Sequence, residues 1–169
     1  MKPSHFSPDT IDFLRLLHEC GVRYVIVGGE AVIYYGHIRL TGDIDIFYEA
    51  SPENARCLYD ALYKFWDGPV PGISSAEEFA TAGTIVQFGT PPNRIDLINM
   101  IEGVVFSDAW NSRVADSVMG DETEIPVYFI SLELLIKNKK AVGRYKDLDD
   151  LQYLIEALMK KDKIVTEKP

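Results

Sequence analysis

The run Asp43-Ile44-Asp45-Ile46-Phe47 alternates acidic and apolar residues, the pattern of a strand with two unlike faces. Residues two apart on a strand point to the same side. Asp43 and Asp45 are therefore expected side by side, with Ile44 turned to the core. Two carboxylates held this close repel each other unless something positive lies between them. A hard divalent cation, Mg2+ or Mn2+, is the natural occupant. Asp96 lies between Ile95 and Leu97 and is expected to project from a neighbouring apolar strand. Three carboxylates on adjacent strands suffice to hold two metal ions about 3.5–4 Å apart.

The rest of the first 105 residues reads as alternating helices and strands. Ser7 caps a first helix, Pro8 suits its first turn, and Gly21 ends it. Tyr24 to Val27 reads as a buried strand, Gly28-Gly29 as a turn, and Glu30 to Tyr35 as a short helix. Pro52 to Phe65 carries apolar residues at spacings of three and four, as an amphipathic helix does. Residues 67–75, rich in Pro and Gly, form a loop. Ile85 to Phe88 and Arg94 to Ile98 are strands joined by a hairpin turn over Gly89 to Asn93. Beyond residue 105 there are short segments around Trp110 and Val127, then helices from Ser131 to Val142 and from Asp147 to Lys160. A charged tail from Lys161 is expected to fray. The expected organisation is an α/β core over 1–105 and a mainly helical part over 106–169, packed as one unit.

A strand ending in Gly28-Gly29, thirteen further residues, Asp43-x-Asp45 on a strand and a lone Asp96 on a later strand together resemble the nucleotidyltransferase superfamily, the fold of the DNA polymerase beta palm. Val27-Gly28-Gly29-Glu30-Ala31, with Arg39, Thr41, Asp43 and Asp45, looks like the AbiEii-type and minimal bacterial nucleotidyltransferases. Lys139, Ala141, Arg144, Lys146, Asp147 and Asp150 are similar to that group's C-terminal lysine and Lys/Arg-Asp motifs. The resemblance runs from residue 24 to about residue 155. It implies an α+β fold: a small mixed sheet flanked by helices, with the C-terminal helices packed against it. It also implies transfer of a nucleoside monophosphate, from ATP or another triphosphate, to an acceptor hydroxyl on RNA, protein or a small molecule. By the same resemblance Asp43, Asp45 and Asp96 hold Mg2+ or Mn2+, and Asp96 ligates a second ion or helps deprotonate the acceptor. Gly28, Gly29, Arg39 and Thr41 line the triphosphate, Lys139 reaches a phosphate, and Asp147 acts in catalysis. Several relatives of this kind are toxins, so a cognate antitoxin is an expected partner.

Simpler readings exist for several of these residues. Asp147 stands where a helix cap belongs, and Asp150 follows at a capping-box spacing. Tyr34, Tyr35, Trp66 and Trp110 suit packing, although Tyr34 or Tyr35 near the glycines could border a nucleotide. His5, His18 and His37 show no metal-ligand spacing. The net charge of −9 argues against a broad grip on nucleic acid. The one basic strip is Lys137, Lys139, Lys140, Arg144 and Lys146. Two cysteines, no evident leader and no apolar run of membrane-spanning length point to a cytoplasmic chain. The rival functions are an inactive binding module on the same fold and an enzyme that nucleotidylates an antibiotic.

Overall fold

The computed structural model describes residues 5–166. The elements run α1 (Pro8–Glu19), β1 (Tyr24–Val27), α2 (Gly28–Tyr34), β2 (Asp43–Tyr48), α3 (Pro52–Trp66), β3 (Ile85–Phe88) and β4 (Arg94–Ile98). There follow α4 (Phe106–Asn111), β5 (Val114–Met119), β6 (Glu124–Phe129), α5 (Leu132–Val142) and α6 (Tyr145–Thr166). The strands form one sheet of order β3-β4-β2-β1-β6-β5. It is mixed: β2 runs parallel to β4 and β1 to β6, while the β1–β2, β3–β4 and β5–β6 pairs are antiparallel. This is the helix-flanked α+β architecture expected of a nucleotidyltransferase.

Local chemistry sets the element ends. The hydroxyls of Ser7, Ser51 and Ser131 accept hydrogen bonds from the backbone N–H of Thr10, Asn54 and Leu134, capping α1, α3 and α5. Gly143, at φ 67, closes α5 in the left-handed region that glycine occupies without strain. Val25, Ile26, Ile46 and Leu97 are fully buried in the central strands. Phe13 of α1 meets Phe65 of α3, and Phe106 of α4 packs on Phe47. Phe47 shares its strand face with Asp43 and Asp45, so the same side of β2 carries an apolar and an acidic end.

Three details differ from the sequence reading. The region after residue 105 contributes a β-hairpin to the sheet, because β6 pairs with β1 at Ile26 and Phe129. Its edge strand β5 exposes Ala115 and Asp116, and Pro126 interrupts β6. Neither strand therefore shows an uninterrupted apolar alternation. Helix α2 begins at Gly28 itself, directly from β1 with no separate turn. Helix α6 does not fray at Lys161. It continues to Thr166, and the Lys161 Nζ donates to Glu133 Oε1 of α5 at 2.9 Å. Among the described residues no helix is long and apolar enough to cross a membrane.

Candidate active site

The β2–β4 register places Asp45 opposite Asp96 and Asp43 opposite Arg94. The parallel pairing thus brings the third aspartate onto the face that already carries the first two. One carboxylate oxygen from each of Asp43, Asp45 and Asp96 lies within 4.8 Å of the others. Burial pushes the Asp45 carboxyl up to about 7, and the negative charges of Asp43 and Asp96 add to the rise. Lys139 and Lys146 pull in the opposite direction and do not cancel it. The site carries an excess of negative charge, and its donors are hard oxygens. That donor set fits Mg2+ or Mn2+.

The glycines are required by close approach. A Cβ on Gly28 would stand 2.0 Å from Asp45 Oδ2, and its φ of +63 also favours glycine. A Cβ on Gly29 would meet Thr41 Oγ1 at 2.7 Å and Arg39 Nη1 at 3.4 Å. Gly28, Gly29, Arg39 and Thr41 therefore gather at one edge of the carboxylate cluster. The Thr41 hydroxyl donates to the carbonyl of Asp43 at 3.1 Å, fixing the loop against the start of β2.

The C-terminal helices supply a buried charge network. The Lys139 Nζ lies 2.8 Å from Asp147 Oδ1 and 2.9 Å from Asp150 Oδ2, with its side chain 4% exposed. It is enclosed between two carboxylates and reaches Asp45 by its charge. Asp147 accepts from the backbone N–H of Arg144 at 3.2 Å and from its side-chain Nε at 2.7 Å. Burial alone would raise the Asp147 carboxyl, but the hydrogen bonds from Arg144 and Lys139 outweigh it and hold it at about 2. Asp147 is therefore not the N-cap: it is the third residue of α6, reaching back to the N–H of Arg144 while serving as an ion-pair partner. Asp150 is no cap: both its oxygens accept from the Arg39 guanidinium, at 2.8 and 3.0 Å. This fork ties the Thr41 loop to α6. Within the basic strip seen in the sequence, Lys139 is buried on two carboxylates and Arg144 is paired with Asp147, whereas Lys137, Lys140 and Lys146 stay exposed.

The sequence reading assigns no site role to three contributors. Arg94 donates to Asp43 Oδ2 at 2.6 Å and to the two oxygens of Asp96 at 2.8 and 3.0 Å. Gln87 donates to Asp96 Oδ2 at 3.0 Å. Glu30 is buried near Asp43, its carboxyl raised by that burial, with His5 Nε2 at 2.5 Å from Glu30 Oε2. Period-two spacing from Asp96 would have found Arg94. His5 and Gln87 carry no local signal.

A family comparison matches residues 11–161 to nucleotidyltransferases of unknown function, DUF6036. The chain belongs to this family. The DUF6036 match takes in the glycines, all three aspartates and the Lys139–Asp150 network. It reaches the nucleotidyltransferase superfamily and does not distinguish the AbiEii-type group. No curated protein matches the chain.

Proposed function

We propose that this DUF6036 protein is a divalent-metal-dependent enzyme that moves a nucleoside monophosphate from a triphosphate to an acceptor hydroxyl. The observation that carries this reading is the clustering of the Asp43, Asp45 and Asp96 oxygens within 4.8 Å beside a glycine that cannot bear a side chain. Asp43 and Asp45 would hold the ion, with Asp96 adjoining. Bound there, a divalent ion neutralises phosphate charge and favours in-line displacement at the α-phosphorus. The chain's own residues position the reactants. Gly28 and Gly29 leave room for the triphosphate, and Thr41 and Arg39 border it. Asp150 holds Arg39 in place, and Lys139 with Asp147 holds Asp150. Lys146, exposed and electrostatically close to Asp45, would meet the departing pyrophosphate. Asp96 would adjoin the ion, its carboxylate held in place by Arg94 and Gln87.

A hollow of about 320 Å3 lined by Phe6, Ile33, Tyr34, Ile38 and Phe129 shares Glu30 with the carboxylate edge. Its apolar walls support a small organic acceptor over RNA. The antitoxin partnership and the AbiEii-type resemblance rest on the sequence motifs. The deciding experiment incubates the protein with each of four α-labelled triphosphates, Mn2+ and a whole-cell extract, beside an Asp43→Asn control. Label on an acceptor with the wild type alone supports transfer and names the acceptor class. Equal labelling by both proteins removes the metal-site reading, and no label with no Mn2+-dependent triphosphate binding favours an inactive binding module.

A further inference from the structure

We infer that Arg94 is a resident counter-ion of the acidic cluster, displaced from Asp43 when a divalent cation loads, and that it stays on Asp96 throughout. The inference rests on the metal reading above. In the ion-free chain the Arg94 guanidinium lies across two carboxylates, one bond to Asp43 and two to Asp96. The register explains its reach: Arg94 is level with Asp43 on the adjacent parallel strand and shares a strand face with Asp96.

The bonds to the two aspartates are not equivalent. An ion between Asp43 and Asp45 needs a lone pair on Asp43, and Asp43 Oδ2 already accepts a guanidinium N–H at 2.6 Å. The other oxygen, Oδ1, faces the Thr41 hydroxyl at 3.3 Å. Two cations sharing one carboxylate oxygen repel, so loading breaks the Arg94–Asp43 bond. The Asp96 bonds are a parallel fork, the strongest arrangement open to a guanidinium, and Gln87 supports the same carboxylate. Nothing in ion binding at Asp43 and Asp45 requires that fork to open. Arg94 therefore releases one partner and pivots on the other. The empty site is partly charge-compensated, Asp96 keeps its orientation, and ion binding competes against an internal cation.

The test measures Mn2+ binding directly, by the loss of the free-ion electron paramagnetic resonance signal on titrating the full chain. Wild type, Arg94→Ala and Arg94→Gln are compared, with thermal unfolding in EDTA and in Mn2+ as a second readout. Both variants are expected to bind Mn2+ on the order of tenfold more tightly, the equivalent of one charge-assisted hydrogen bond no longer broken. They should also melt lower than wild type in EDTA and gain more from Mn2+. The guanidinium is partly exposed and outside the apolar core, so at least one variant should fold. Equal or weaker Mn2+ binding by the folded variants overturns the displacement while leaving the metal reading intact. No Mn2+ binding by any of the proteins overturns both.

Discussion

Asp45 is a carboxylate in a place that resists its charge, and this has a measurable consequence. Its carboxyl is pushed from 3.8 up to about 7 by burial, and then by Asp43 and Asp96. A displacement of that size corresponds to about 4 kcal/mol of preference for the neutral form in the folded chain. The folded protein holds a proton that the unfolded chain releases at lower pH. Stability is therefore lost as pH rises from 3.8 through about 7, and the full cost is present above that range. Asparagine has the same shape and no charge. In EDTA, Asp45→Asn should be more stable than wild type by about 4 kcal/mol at about pH 8 and by only about 1 kcal/mol at about pH 4.5. The first figure is an upper bound and corresponds to a melting shift of roughly 10 °C for a chain of this size. Urea unfolding followed by circular dichroism at both pH values measures the difference. Added Mn2+ should narrow the gap at high pH, because only wild type retains the full ligand set. Two outcomes would refute the reasoning. One is an asparagine variant no more stable than wild type at the higher pH. The other is an equal gain at both pH values, which would trace the effect to packing.

Three further perturbations address the remaining parts of the site. Gly28→Ala introduces a Cβ 2.0 Å from Asp45 Oδ2 at a positive φ; it should cost at least about 1 kcal/mol of stability and remove most nucleotidyl transfer, and a variant with wild-type turnover would show that the close approach is dispensable. Lys139→Met leaves Asp147 and Asp150 buried without their shared cation and should destabilise the fold by about 3–5 kcal/mol in urea; a loss well under 1 kcal/mol would mean that Arg39 and Arg144 alone suffice. Asp147, held at about 2 against an ordinary 3.8, contributes stability that is present above the ordinary carboxylate range and lost as pH falls toward about 2. The urea-midpoint difference between wild type and Asp147→Asn should accordingly be constant near neutrality and shrink in acid, and a difference independent of pH would assign the effect to capping.

Local patterns reveal local structure, and the boundary of their reach is visible in this chain. The Asp43–Phe47 alternation yields both a strand and its acidic face, and the Ser7 cap marks the start of the first helix correctly. Strand β5 escapes notice because an edge strand with one wet face buries too little to show a pattern. Arg94 was within reach, since it repeats the spacing that singles out Asp43 and Asp45, but an arginine ahead of an aspartate reads first as a solvated pair. Asp150 misleads for a physical reason: three residues after Asp147 is a capping-box interval, and its true partner Arg39 is 111 positions away. Lys139 suggests a phosphate ligand by motif, whereas its burial between two carboxylates emerges only when α5 and α6 pack together.

That distance of 111 positions between Arg39 and Asp150 also orders events during synthesis. A growing chain displays the glycines, Arg39 and all three aspartates long before the ribosome reaches Asp150. Until then the loop bearing Arg39 and Thr41 has no anchor on α6, and the guanidinium has no fork to settle into. The nascent protein holds every acidic ligand yet lacks the strut that fixes the neighbouring loop, so synthesis of α6 acts as a timer on assembly of the complete site.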